Sequence, residues 1–290
     1  MGEKRKWGDR KDGIKLRKLD SMHYIMPLIF PKRCESEVFI HKRIDLTKTS
    51  KYIREKNALK PEYNYSLFHI IIAAILKTIV LRPHLNRFVS NPYIYQRRDL
   101  SAAFIVKTSF SDDAEEAMAF VNAEETDTLD TIRKKIYDQI EACRDEMQKD
   151  SSQQTMDFVA LLPGVIRKFI GWVVRGLDHR GLMPKFMIAN DPHYASVLLS
   201  QLGSIKLGAA YHHLTDWGTN SLFITVGEKK MRPFFSANGE VEMKSSIELG
   251  FTVDERIADG FYFARSVKLM KKLLEHPELL EAPFNEDVLY

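Results

Sequence analysis

The clearest period-two pattern in the chain lies late, where Ile247, Leu249, Phe251 and Val253 alternate with Ser246, Glu248, Gly250 and Thr252. This alternation predicts a strand with one buried face. It stops at Asp254-Glu255-Arg256, and after Asp259-Gly260 the apolar residues Phe263, Val267, Met270 and Leu274 recur at the spacing of one helical face until Pro277. Asp259 is the expected N-cap. Strand, charged elbow and helix therefore follow one another, and such a turn, fixed from both sides, is a favourable place to display reactive side chains.

The rest of the chain reads in the same way. Val38, Phe39, Ile40 and Ile44 predict a strand, with a short helix through Tyr52 and Ile53. Leu67 to Leu81 is apolar nearly all round and predicts a buried helix. Asn91-Pro92 separates Arg87-Phe88-Val89 from Tyr93-Ile94-Tyr95, a predicted hairpin. Strands are expected over Ser101 to Val106, Ala117 to Val121, Ser196 to Ser200 and Leu222 to Val226. Met231 to Phe235 should pair across Asn238-Gly239 with Val241 to Lys244.

Two amphipathic helices stand out. The first, Asp127 to Met147, sets Leu129, Ile132, Ile136, Ile140, Cys143 and Met147 on one face. The second follows Pro163-Gly164, with a stripe of Ile166, Ile170, Val173 and Leu177 and with Arg167, Lys168 and Arg175 facing away. A basic amphipathic helix can lie on a membrane, but the expectation is that this one covers its own protein or a partner subunit. Helices and strands mix without regular alternation or fixed repeat, so the predicted class is α+β, a mixed sheet with helices on one side.

Composition narrows the function. The 290 residues are 44% hydrophobic with a net charge of +4, enough for a large core and too mild to argue for nucleic acid. Lys4, Arg5, Lys6, Arg10, Lys11, Lys15, Arg17 and Lys18 crowd the start. Residues 1–18 are expected to form a basic, solvated tail, or else a tether to an acidic partner, a membrane surface or nucleic acid, before a single domain over residues 19–290. Cys34 and Cys143 are the only cysteines, which gives neither a disulfide framework nor metal-ligand spacing and suits a reducing cytoplasm. No signal peptide is evident, Lys6 stands where an N-terminal acylation signal needs Ser or Thr, and Leu67 to Leu81 is too short to span a bilayer.

The elbow carries a resemblance. Asp254-Glu255-Arg256-Ile257-Ala258-Asp259-Gly260 resembles the D-H-R-x-x-D-G signature of the acyltransferase core of 2-oxo acid dehydrogenase complexes and, more distantly, the H-H-x-x-x-D-G signature of chloramphenicol acetyltransferase. Asp254, Arg256, Asp259 and Gly260 match, and Glu255 stands where those families place the catalytic histidine. Leu199-Ser200-Gln201-Leu202-Gly203-Ser204 looks like their S-N-L-G segment, and Gly208 to Gly227 like the strand region after it. With Arg17-Lys18 near the family's early basic residue, the likeness runs from about Lys15 to Leu280.

The resemblance implies a chloramphenicol-acetyltransferase-like two-layer sandwich, assembly as a homotrimer, and a channel between subunits that coenzyme A enters from one end. It implies Ser200 as oxyanion donor and an Arg17 to Asp259 pair holding the elbow, with Asp254 alongside. No lipoyl domain, subunit-binding domain or membrane span is expected in this chain. Two readings stay open: a stand-alone acyltransferase that takes an acyl group from a coenzyme A thioester, or a non-catalytic trimeric relative that binds coenzyme A or acts as a scaffold.

The altered position sets the chemical problem. Acyl transfer needs a base for the incoming thiol, hydroxyl or amine and a donor for the oxyanion. Taking a proton from a thiol is uphill by about 2.7 kcal/mol for a histidine and about 5.7 kcal/mol for a glutamate, so the exchange costs about a hundredfold in rate. Burial or a neighbouring carboxylate such as Asp254 would raise the glutamate and recover part of this. Alternatively Glu255 is a surface glutamate favoured by the helix dipole. His212 and His213, in Tyr211-His212-His213-Leu214-Thr215-Asp216, are either structural or the replacement base, oriented by a carboxylate such as Asp216. No third ligand accompanies them, so no metal is expected.

Overall fold

The computed structural model describes residues 6–107, 116–147 and 162–290. Its main sheet is built on β10 (Val241–Asp254), which is long enough to serve two sets of partners. The N-terminal half pairs antiparallel with β9 (Lys230–Phe235). The C-terminal half lies between β2 (Glu37–Asp45) and β8 (Leu222–Val226), both antiparallel to it, with Ser246 level with Asp45 and Asp254 level with Glu37. Beyond β8 come β7 (Val197–Gln201), β5 (Leu100–Lys107) and β6 (Glu116–Ala123), with β7 parallel to both of its neighbours. A separate three-stranded sheet joins β1 (Gly13–Lys15), β4 (Tyr93–Arg97) and β3 (Arg87–Ser90).

Strand alternation sends Ile247, Leu249, Phe251 and Val253 to one face, where they meet α3 (Leu67–Leu81), α4 (Leu129–Met147) and α7 (Gly260–Glu275) in a single core. The helix α3 is buried from His69 to Ile79, because the sheet lies beneath it and α4 and α7 flank it. Lys77 is the one cation in that run. Its ammonium donates to the carbonyls of Leu279 (2.9 Å), Ala282 (3.3 Å) and Pro283 (3.0 Å), and burial lowers its pKa. Those carbonyls lie just beyond α7, so the buried lysine serves a chain segment with no regular partners of its own. Ser66 and His69 cap α3 reciprocally, each backbone amide donating to the other's side chain.

The predicted elements over residues 37–45, 67–81, 87–97, 129–147 and 246–275 all form. Met147 ends α4, but its side chain lies outside the described residues.

Two expectations are corrected. Residues 6–18 are not a solvated tail: they contribute β1 and bury Asp9, Arg10 and Asp12. The Arg10 guanidinium donates to Asp12 (2.8 and 3.2 Å), to Ser90 (2.8 Å) and to both the carbonyl (2.6 Å) and the carboxylate (3.1 Å) of Asp178. The interleaved acids neutralise the cations locally and let the segment pack; Lys4 and Arg5 lie outside the described residues.

The second concerns α5 (Gly164–His179): of the two supports expected for it, its own protein or a partner subunit, the described residues do not provide the first. Only its last turns touch the body, where Asp178 is buried beneath Arg10 and the Tyr194 hydroxyl (2.7 Å), and the stripe above remains exposed. The face of the sheet that could have received it is already filled by α3, α4 and α7. A short α6 (Lys185–Asn190) follows.

Candidate active site

The elbow after β10 is held by a buried ion pair. Asp254 and Arg256 lie in a two-point clasp, Nε to Oδ1 at 2.8 Å and an Nη to Oδ2 at 2.7 Å, with side chains 0% and 2% exposed. Asp254 also accepts from the Arg256 amide (3.1 Å) and the Ser36 hydroxyl (3.1 Å), and Arg33 stands 3.8 Å away. Arg256 reaches back to the carbonyls of Phe30 (2.8 Å) and Pro31 (3.3 Å), tying the elbow to the segment before β2. Burial lowers the Arg33 pKa, partly offset by the Asp254 carboxylate. Satisfied on all sides in this way, a buried charge fixes a backbone shape.

Glu255 sits between these two residues and is half-buried. Its amide donates to the Ser36 carbonyl (2.9 Å), but its carboxylate has no hydrogen-bond or ion-pair partner among the described residues. The neighbouring Asp254 carboxylate is itself paired with Arg256, with Arg33 close by. The device expected to raise a glutamate toward a useful base is thus spent on structure.

Arg17 does not reach Asp259 within the chain. It donates to Asp9 (2.8 Å) and to the carbonyls of Lys15 and Trp7, close to its own place beside the small sheet. Asp259 is the N-cap of α7, accepting from the Tyr262 amide at 2.7 Å as its position predicts.

The two histidines lie on the sheet face opposite the helices. Residues 207–214 run across that face along β10: Ala210 accepts from the Thr225 hydroxyl, and the Leu214 amide donates to the Glu37 carboxylate. Gly250 makes this approach feasible, since a Cβ there would meet the Ala210 carbonyl oxygen at 2.4 Å. The His212 ring stacks flat on Phe223 (centroids 4.2 Å apart, 6° between planes) and against His213 (4.6 Å). His212 Nδ1 lies 2.8 Å from the His213 carbonyl oxygen. A carbonyl can only accept, so Nδ1 is the donor in this contact, and in the neutral ring it is Nε2 that offers the lone pair a general base requires.

Ser200 shares this face. It is level with Thr225 on β8, which is level with Gly250 on β10. Phe223 is two residues from Thr225, so strand spacing puts the Cα atoms of Ser200 and Phe223 about 8 Å apart, with His212 lying over Phe223. Glu255 stands beyond the far end of β10, about 19 Å from Ser200 by the same spacing. His213 precedes the amide bound to Glu37, and Glu37 is level with Asp254, so His213 lies toward the elbow end. Ser200 and His212 thus share one sheet face within the chain, whereas Ser200 and Glu255 lie far apart in it. Asp216 does not orient either histidine: it accepts from the Arg33 amide (2.8 Å) and lies 3.8 Å from the Cys34 thiol. Partial desolvation and Asp216 together raise that thiol, the reverse of what activates a cysteine nucleophile.

Arg33, Ser36 and Glu37, which hold the elbow and the histidine segment, carry no periodic or motif signal in the sequence. A cleft of about 1350 Å³ elsewhere, lined among others by Arg97, Ser101, Asn122 and Tyr194, includes none of the candidate residues. Among the described residues no group of His, Cys, Asp and Glu could hold a metal, and no helix is long and apolar enough to cross a membrane.

Residues 218–282 match the family model of the 2-oxoacid dehydrogenases acyltransferase catalytic domain. A comparison with curated proteins finds no match. Among solved structures, the chain is similar to the cubic core of the pyruvate dehydrogenase multienzyme complex, at 13% identity over 92% of this chain and 94% of that one, with a TM-score of 0.59. It is also similar to a probable dihydrolipoamide acetyltransferase from Listeria monocytogenes, at 12% identity over 96% and 99% with a TM-score of 0.56. Chloramphenicol acetyltransferase matches at 10% identity over 88% and 96%, with a TM-score of 0.53. The fold is therefore the chloramphenicol-acetyltransferase-like one, a mixed sheet with its helical layer.

Proposed function

We propose that the chain is an acyltransferase that moves an acyl group from a coenzyme A thioester to a thiol, hydroxyl or amine acceptor. His212 is the base and Ser200 the oxyanion donor. The observation that carries this reading is the contact of His212 Nδ1 with the His213 carbonyl, which holds the ring on the sheet face that Ser200 shares. In the reaction Nε2 takes the proton from the acceptor as it attacks the thioester carbonyl. The Ser200 hydroxyl donates to the oxygen that gains negative charge, and collapse of the tetrahedral species expels the coenzyme A thiolate, which His212 reprotonates. Glu255, placed where a related signature carries histidine, becomes a secondary candidate that acts only if another subunit brings a Ser200 face to it. Such an assembly, a homotrimer with the site in a channel between subunits, is part of the proposal.

One observation favours the second reading, a non-catalytic relative that binds coenzyme A or serves as a scaffold. The exposed His212 ring is equally suited to packing on Phe223, and the Glu255 carboxylate has no hydrogen-bond or ion-pair partner among the described residues. Thioester cleavage with acetyl- and longer acyl-coenzyme A separates the two. His212→Ala should lower kcat by about 10²–10⁴-fold, and Glu255→Gln by less than about tenfold. If Glu255→Gln or His213→Ala abolishes turnover while His212→Ala does not, the base is misassigned. Absent turnover with retained coenzyme A binding supports the scaffold.

A further inference from the structure

We propose that α5 docks the protein on a bilayer surface that contains anionic lipid. At 100° per residue Val165, Ile166, Phe169, Ile170, Trp172 and Val173 fall within one arc of about 160°. All of them reach the surface, with Val173 at 36% exposed, Phe169 at 63% and Trp172 at 73%. A helix that packs on a protein core hides such an arc, whereas among the described residues this one meets the body through its last turns. The charges lie on the remaining arc, with Lys168 and Arg175 along one border and Arg167 toward the other.

Charge complementarity selects the occupant. The single acid of α5, Asp178, is buried under Arg10 and Tyr194, so the exposed side of the helix presents cations alone, and Arg180 adds another just beyond its end. A second copy of the same surface would bring like charges together around the apolar stripe. Anionic headgroups would accept Arg167, Lys168 and Arg175 while the stripe enters the acyl boundary, with Trp172 at the interface where indoles are favoured. The buried contact of Asp178 fixes the angle at which the helix projects, so docking orients the whole chain. The proposal does not depend on the assignment of the catalytic base.

Flotation of the full chain with phosphatidylcholine vesicles, with and without phosphatidylglycerol, tests it. The protein should float with the anionic vesicles and much less with the neutral ones. Arg167→Glu, Lys168→Glu and Arg175→Glu together should weaken binding by at least about a hundredfold, and Phe169→Glu with Trp172→Glu should abolish it. Adding anionic vesicles should shift tryptophan fluorescence to the blue, a shift that Trp172→Phe removes, and this readout stands even if the glutamate variants fold poorly. No flotation on anionic vesicles overturns the proposal, as does flotation unchanged in the Phe169→Glu, Trp172→Glu variant. A vesicle-free oligomer that this variant dissociates, in a wild type that does not float, assigns the stripe to a second copy of the chain instead.

Discussion

Removing Arg256 should destabilise the protein more than any other single truncation at the elbow. In Arg256→Met the stem volume is kept, but the Asp254 carboxylate, 0% exposed, loses both points of its clasp and retains only Ser36, the residue 256 amide and a guanidinium 3.8 Å away. Leaving one partner of a buried pair uncompensated costs about 3–5 kcal/mol. For a domain of this size that corresponds to a fall in Tm of about 5–8 °C. Asp254→Leu combined with Arg256→Met removes both charges and should recover part of the loss, so that the double variant is more stable than the sum of the two singles predicts. Thermal and urea unfolding of the four proteins closes the cycle. An Arg256→Met variant within about 1 kcal/mol of wild type would show that water reaches the elbow and the clasp is ornamental.

Other substitutions probe separate parts. Lys77→Met leaves three carbonyls beyond α7 without their common donor and should cost about 2–4 kcal/mol, read by urea unfolding. Gly250→Ala drives a methyl into the Ala210 carbonyl, so it should lower stability by about 1–3 kcal/mol and displace His212, seen as a changed histidine titration by NMR. His69 is held neutral, its pKa depressed to about 4 by burial and, secondarily, by Arg133. The unfolded chain, with its ordinary value near 6.5, binds that proton first. The stability His69 contributes is therefore complete above about pH 6.5 and is lost as pH falls toward 4, by up to about 3 kcal/mol. His69→Gln should flatten the unfolding midpoint across that window.

How much of this was legible beforehand follows from range. The β10 alternation, the apolar α3 and the Asn91-Pro92 hairpin are local signals, and the structure places those elements where the periodicity puts them. Asp259 as N-cap is legible for the same reason. The role of Asp254 was not: a carboxylate beside Glu255 reads as a like-charge neighbour until Arg256 and Arg33 are seen to close on it, and Arg33 arrives from more than two hundred residues away. The basic start misled because counting cations ignores Asp9 and Asp12, which pack them. The stripe on α5 is legible in sequence, but only the filled helical face shows that nothing among the described residues receives it.

The pairing of β2 with β10 also constrains how the molecule is made. Glu37 must find Asp254, and every rung of that ladder closes a loop of about two hundred residues, a large entropic debt before any contact rewards it. A ribosome releasing the chain from its N-terminus holds β2 unpartnered until residues 246–254 have emerged. Phe39 and Ile40 then stay open to association with neighbouring nascent chains. Synthesis in a cell should accordingly depend on chaperone capacity more steeply than the finished fold's stability would suggest.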